Sequence, residues 1–305
     1  MIEQYLVTVG ITTYNSNIDF LSKALDSAIN QTYKNIEIII VDDFSNNIDE
    51  IENLIKKKND KRISFFKSTK NEGVASSLNK IIKFSKGNYF SWCPDDDYMD
   101  LLKIELQIKS IESSPNSISL CNHYQVLDFF KITRKIKHNI YLKFFGFFLY
   151  SVLLDRINGG SLMIPINILK KNKFDVSLKH IQDYDMWYRL FYDSNYVYVN
   201  KTLFFSRQHS GQVSVKDNII AKKEISEYYL SFFKKNMHNL IHYYGKYTYL
   251  FITMFFKYRD INSVVDTYTK STNIQIYISN FYDINNFSYL LIYLFKIFGS
   301  FFLYI

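Results

Sequence analysis

Two cysteines, Cys93 and Cys121, are all that 305 residues provide. Two thiols without metal-like spacing exclude a disulfide framework and a cysteine-based metal site. A reducing compartment is the corresponding expectation. With only 3 Pro and 9 Gly, collagen-like and linker-like tracts are excluded too, and the composition is that of a globular chain. The opening Met1-Ile-Glu-Gln-Tyr-Leu-Val lacks a basic region followed by an apolar run, so no secretory leader is expected and the body of the chain is assigned to the cytoplasm. No zinc knuckle, basic helix or RNA-binding signature is present, and nucleic acid is not an expected partner.

What is abundant is aromatic: 27 Phe and 26 Tyr, with a formal net charge of +8. The charge is unevenly placed. From Lys201 onward there are 12 Lys plus Arg against 6 Asp plus Glu, so only +2 of the excess remains for the first two hundred residues. A basic, aromatic tail points to a membrane surface.

Short apolar runs alternate with helical patterns. Tyr5 to Ile11 is a strand, Thr12-Thr-Tyr-Asn15 a turn, and a helix follows with Phe20, Leu21, Ala24, Leu25, Ala28 and Ile29 on its apolar face. Ile36 to Val41 is a second strand ending at Asp42-Asp43, with a charged helix to about Lys58. Ile63 to Phe66, the turn Asn71-Glu-Gly73 and a helix face of Val74, Leu78, Ile81 and Ile82 repeat the unit. The fold class this predicts is α/β: a mostly parallel, Rossmann-like sheet flanked by helices, with ligands at the carboxyl ends of its strands.

The fourth strand, from Tyr89, runs into Pro94-Asp95-Asp96-Asp97. Three adjacent carboxylates have two readings. One is an acidic turn capping a helix over about Tyr98–Ser113. The other is a divalent metal site, because crowded carboxylates are costly without a cation and hard cations prefer oxygen ligands.

The succession Val-Gly-Ile-Thr-Thr-Tyr-Asn, Gln31-Thr-Tyr-Lys-Asn-Ile-Glu-Ile-Ile-Ile-Val-Asp-Asp-Phe-Ser-Asn, Asn71-Glu-Gly-Val-Ala and Pro-Asp-Asp-Asp resembles the nucleotide-sugar half of family 2 glycosyltransferases. The resemblance covers roughly the first two hundred residues. It implies a GT-A fold and transfer of a sugar, with inversion, from a nucleoside diphosphate donor, a UDP-sugar being favoured. By this resemblance Thr12, Tyr14 and Asn71 hold the donor, and Asp43 accepts a base N–H. Asp95 and Asp97 bind Mn2+ or Mg2+, and Asp96 shares in donor or metal contact. Pro94 stands where another acid is common, which leaves open which carboxylate touches the metal.

The second half carries the acceptor side. Asn158-Gly-Gly-Ser-Leu-Met-Ile-Pro165 is a glycine turn entering a strand, and Asp183 opens a helix bearing Met186, Trp187 and Leu190. From the residues alone Asp183 is a helix cap. The resemblance makes it the general base, with Gln182 in place of the usual glutamate and Asp185 pointing elsewhere. Ser206-Arg-Gln-His-Ser-Gly-Gln-Val-Ser214 resembles the family's closing segment, in which Arg207 neutralises phosphate and His209 is a further metal ligand.

These readings divide the chain into a catalytic domain over 1–217, split into 1–100 and 101–217, and a helical extension over 218–305. The terminal Phe287 to Ile305 has the length of a bilayer span but suits an interfacial anchor. Packing on the catalytic domain or on a second copy in a homo-oligomer is its alternative use. The expected function is addition of a sugar to a glycan or lipid-linked oligosaccharide for surface polysaccharide, at the inner face of the membrane. A non-catalytic scaffold that keeps the nucleotide fold is the alternative, and a nucleotidyltransferase is disfavoured because no Gly-rich phosphate loop opens the chain.

Overall fold

The computed structural model describes residues 5–127, 132–136, 157–209 and 218–244. Four parallel strands form its first half: β1 (Val7–Thr13), β2 (Ile36–Asp42), β3 (Ile63–Lys67) and β4 (Tyr89–Trp92), side by side in the order β3-β2-β1-β4. The crossovers between them carry α1 (Ile18–Ile29), α2 (Ile48–Lys58) and α3 (Val74–Phe84). β1 is buried at every position, as a strand covered on both faces must be. Alternate residues of β2 go to opposite sides. Ile38 and Ile40 pack with Leu21, Ala24 and Leu25 of α1, whereas Ile39 and Val41 pack with Ala75, Leu78 and Ile81 of α3.

The second half adds β5 (Tyr98–Met99), α4 (Lys103–Ile111), β6 (Ile118–Leu127), β7 (Ile132–Ile136), a 3-10 turn at Gly159–Ser161, β8 (Leu162–Pro165), α5 (Ile166–Lys171), α6 (Gln182–Asp193), β9 (Tyr196–Gln208) and α7 (Asn218–Tyr244). The sheet continues β4-β8-β6-β9-β5, with β7 on β6. Beyond β4 the pairing is mixed rather than mostly parallel: β4–β8, β6–β8, β6–β7 and β5–β9 are antiparallel, and β6–β9 is parallel. The chain divides into two units, Met1–Glu224 and Ile225–Ile305, and every element through β9 lies in the first. Among the described residues no helix is long and apolar enough to cross a membrane. The stretch 287–305 lies outside the described residues.

One expected helix is corrected. Tyr98 and Met99 are strand, paired with Phe205 and Phe204 of β9, and the Tyr98 and Phe205 rings stack at 4.7 Å. Helix α4 starts only at Lys103 and takes Leu102, not a carboxylate, as its N-cap. Cross-strand aromatic pairing outweighs helix propensity here, and the acidic turn does not cap a helix.

Gln31 explains why the short loop after α1 is so constrained. Its buried amide donates to Ser27 O and Asp100 O, both at 2.8 Å, and its Oε1 accepts from Ile104 N at 3.0 Å. Thr32 N and Tyr33 Oη fix the neighbouring backbone at Leu101 O and Tyr5 O. A buried amide with every group paired stabilises one arrangement of α1 and α4.

Lys103 is a second buried polar group, fully shielded, with its Nζ donating to Ser91 Oγ at 2.7 Å. Desolvation lowers its pKa to about 8. The unfolded side chain titrates at roughly 10.4, so at neutral pH the fold bears the cost of a buried ammonium, and the contribution of Lys103 itself to stability improves from about pH 8 towards 10. The neighbouring Cys93 and Cys121 thiols, pushed up by burial, act in the opposite sense. Lys103→Met is expected to stabilise the protein by roughly 1–3 kcal/mol at pH 7, with its advantage over the parent shrinking as pH rises from about 8 towards 10. Chemical denaturation of both proteins across this pH range checks it, and a Met variant less stable than the parent would contradict it.

Candidate functional site

Of the polar groups singled out in the sequence, Thr12, Tyr14, Asp43 and the Asp95–Asp97 turn lie where β1, β2 and β4 end, Arg207 and His209 come to that turn from β9, and Asp183 lies on α6. Asp42 and Asp43 divide the work between them. Asp42 is buried and accepts from Thr13 Oγ1 at 3.0 Å, Ser45 Oγ at 2.5 Å and Ser45 N at 2.9 Å, so it fastens the β1 and β2 loops together. Asn15 N donates to Ser45 Oγ, and Asn46 N to Asn15 Oδ1, both at 2.8 Å, completing the lacing. Asp43 turns towards the third loop, where Oδ1 accepts from Glu72 N at 3.0 Å and Oδ2 from Gly73 N at 2.6 Å. Gly73 has φ +85°, a conformation that suits glycine and aims its N–H at the carboxylate. Thr12 is buried at the end of β1, and Tyr14 and Asn71 are exposed on the loops beside Asp43.

The acidic turn follows β4. Asp95 accepts a hydrogen bond from Ser16 Oγ at the entry to α1. Asp96 Oδ2 lies 3.2 Å from His209 Nε2. Asp97 is turned inward, only 4% exposed, and its Oδ1 accepts from Arg207 N at 2.7 Å. Desolvation and then the Asp96 carboxylate push Asp95 up to about 7, and the same two causes hold Asp97 well above the ordinary carboxylate range. Charge is crowded into this turn.

The sequence leads to Arg207 as part of a closing segment, whereas the structure places it within β9 and buries it. Its guanidinium lies 3.8 Å from the centroid of Phe20, a cation–π contact that fixes its position. The same ring packs edge-on to His209 at 5.3 Å. Phe20, expected on the core face of α1, therefore serves the site instead, as does Ser16. Helical periodicity around Leu21, Ala24 and Leu25 gave no sign of this, because Phe20 sits at the margin of that stripe. Residues 210–214 lie outside the described residues.

Asp183 lies in the first turn of α6, with Oδ1 accepting from Tyr184 N at 2.8 Å. The loop before it is held by Glu224, whose carboxylate accepts from Lys179 N, His180 N and Ile181 N. Glu224 is distant in sequence and had no motif to announce it. Tyr184 Oη donates to Ile157 O at 3.2 Å, beside the Gly159–Gly160 turn. A side chain at Gly160 would collide with the Phe204 ring, and one at Gly159 with Trp92 of β4, so the glycines allow this turn to sit directly on the strand that carries the acids.

Asp96 and His209 supply an oxygen and a nitrogen donor, with the Asp95 carboxylate in the same turn. No three His, Cys, Asp or Glu side chains converge into a metal cage among the described residues. One or two protein ligands completed by substrate oxygens is how small divalent cations are commonly held beside phosphates, and this donor set fits such an ion.

Comparisons with known proteins bear on the family and the fold. A model of the family described as glycosyl transferase family 2 matches residues 8–175. An uncharacterized glycosyltransferase of Rickettsia typhi is 35% identical over 221 residues, 68% of this chain and 66% of that protein, so the chain spans just under two thirds of the relative's length. The Escherichia coli UDP-Glc:alpha-D-GlcNAc-diphosphoundecaprenol beta-1,3-glucosyltransferase WfaP is 32% identical over 200 residues, 61% of this chain and 77% of that enzyme. Among solved structures, S. aureus TarS 1-349 in complex with UDP-GlcNAc aligns with a TM-score of 0.60 at 16% identity, covering 72% of this chain and 64% of that one. The mannosyltransferase PcManGT of Pyrobaculum calidifontis, in complex with GDP-Man and Mn2+, aligns at 0.57 and 12% identity, covering 88% and 76%. These likenesses show the GT-A fold.

Asp43→Ala leaves two loop N–H groups without their acceptor, and a loss of about 1–3 kcal/mol is expected. Asp43→Asn, which keeps one acceptor oxygen, is expected to lose less. Thermal melting of the three proteins without ligand checks this, and identical melting would contradict the bonding described.

Proposed function

Because the chain belongs to glycosyl transferase family 2, we propose that it transfers a sugar, with inversion, from a nucleoside diphosphate donor to a hydroxyl of a glycan or lipid-linked acceptor in surface polysaccharide synthesis. The observation that carries this reading is that Asp43 ends β2 while the Asp95–Asp97 turn, which meets His209, ends β4, two strands along the same sheet and in one unit. Binding crevices of open α/β sheets lie at such strand ends. A UDP-sugar is the favoured donor: WfaP is named for UDP-Glc, and TarS is described with UDP-GlcNAc. A diphospholipid-linked acceptor is favoured by the name of WfaP, and such an acceptor would bring the enzyme to the cytoplasmic leaflet.

Each residue has a separate task in this mechanism. Thr12, Tyr14, Asp43 and Asn71 bind and orient the nucleoside over the ends of β1 and β2. Asp96 with His209, and Asp95 beside them, would hold Mn2+ or Mg2+, an ion that supplies positive charge to the departing diphosphate. Asp97, expected as a metal ligand beside Asp95, is instead turned inward and acts through its bond to Arg207 N, which fixes β9 and hence His209 against the turn. Arg207, held on Phe20, adds a fixed cationic field near the diphosphate. Inversion requires one base facing the acceptor hydroxyl from the side opposite the leaving group. Asp183 takes that proton, and Glu224 positions its loop.

Purified protein, a UDP-sugar and a lipid-diphosphate acceptor analogue test the division of labour. Asp183→Asn is expected to lower turnover by about 10²–10⁴-fold while the metal-dependent thermal shift with UDP persists. Asp96→Ala is expected to lose that shift. Full turnover in Asp183→Asn would remove Asp183 as base, and failure of every nucleoside diphosphate to stabilise the parent protein would favour the scaffold reading.

A further inference from the structure

Four described residues other than glycine have positive φ: Asn15, Phe44, Asn59 and Asn116. Asparagine tolerates the left-handed region through local hydrogen bonding, but a bulky aromatic there is an outlier that glycine would relieve. Phe44, at φ 70°, is also 56% exposed. It therefore contributes little to the core while imposing a backbone cost on a loop that is otherwise tightly laced through Asp42, Ser45 and Asn15. Outliers of this kind cluster at ligand clamps.

The location says which ligand. Phe44 directly follows Asp43 at the end of β2, and Tyr14, itself 49% exposed, follows β1. Thr13 and Asp42 are register partners on those two strands, so both aromatic residues rise from the same rim. The acidic turn lies across β1, after β4. Two strand spacings separate β2 from β4, about 10 Å, which is the order of length of a nucleoside between its base and its diphosphate.

We propose that Phe44 is a stacking platform for the donor's nucleobase, set beside Tyr14 on the rim of the crevice. It binds a planar heterocycle, not the sugar or the phosphates. This rests on the nucleoside-diphosphate reading of the site. The left-handed backbone keeps the ring out of the core and on the rim, so the conformational cost is carried by the free protein and recovered as contact with the base. Base–aromatic stacking tolerates different bases because each has a π-face. Phe44 thus strengthens nucleotide binding generally, and base identity is left to the polar groups.

The test compares the full chain with Phe44→Gly, Phe44→Asn and Phe44→Tyr by calorimetric titration with UDP, GDP and dTDP, and with inorganic pyrophosphate, each in Mn2+. Gly and Asn suit the left-handed backbone, so neither variant is expected to melt below the parent. Both are expected to bind the nucleotide about tenfold more weakly, with pyrophosphate binding unchanged and Phe44→Tyr restoring nucleotide affinity. Unchanged nucleotide affinity in Phe44→Gly and Phe44→Asn, or equal weakening for pyrophosphate, overturns the platform while leaving the donor reading intact. Binding of pyrophosphate but of no nucleoside diphosphate by the parent protein overturns both.

Discussion

Like charges packed at the end of a central strand set the terms for this site. Asp95, Asp96 and Asp97 leave β4 together, in a turn where desolvation raises two of them. Each carboxylate of the turn is directed differently: Asp95 to Ser16, Asp96 to His209, Asp97 to the backbone of β9. The consequences reach outward. The entry to α1 is tied to the turn by Ser16, and the end of β9 is drawn onto it by Asp97. Phe20 then packs against both Arg207 and His209. A divalent cation paired with phosphates is the partner that an arrangement of this charge favours.

The scaffold around the turn is rigid for ordinary reasons. The central strands bury both faces, with α1, α2 and α4 contributing to one cluster and α3, α5 and α6 to the other. Catalytic groups placed on strand ends of such a sheet are held more accurately than groups on free loops. The loops that carry the candidate groups are laced by side chains: Asp42 and Ser45 on one side, Asp43 with Glu72 and Gly73 on another, and Glu224 on the loop before α6. Preorganised dipoles and charges of this kind act without reorganising during reaction.

Much of the first half was legible from sequence because its signals are local. Apolar runs ending in polar turns marked β1 to β4 to within a few residues and led to the Asp95–Asp97 turn, whereas only the family resemblance separated Asp43 from Asp42. The second half was less legible because its determinants are not local. Tyr98 and Met99 follow an acidic turn and precede a helical pattern, so only their pairing with Phe204 and Phe205, more than a hundred residues away, makes them strand. A separation of 45 residues from Lys179, with no motif between, hid Glu224 from the loop it holds. Phe20 misled for another reason: an aromatic residue beside an apolar stripe has the same pattern whether it faces the core or an arginine. Phe44 left no periodic signal at all, since its peculiarity lies in a backbone angle.

A crystal grown with UDP and Mn2+, measured at the manganese absorption edge, is the most direct test of the central claim that donor and metal meet at this turn. The account predicts an anomalous peak within ligand distance of Asp96 and His209, with the uracil over the ends of β1 and β2. Manganese bound elsewhere, or UDP seated away from Asp43 and the acidic turn, would contradict it.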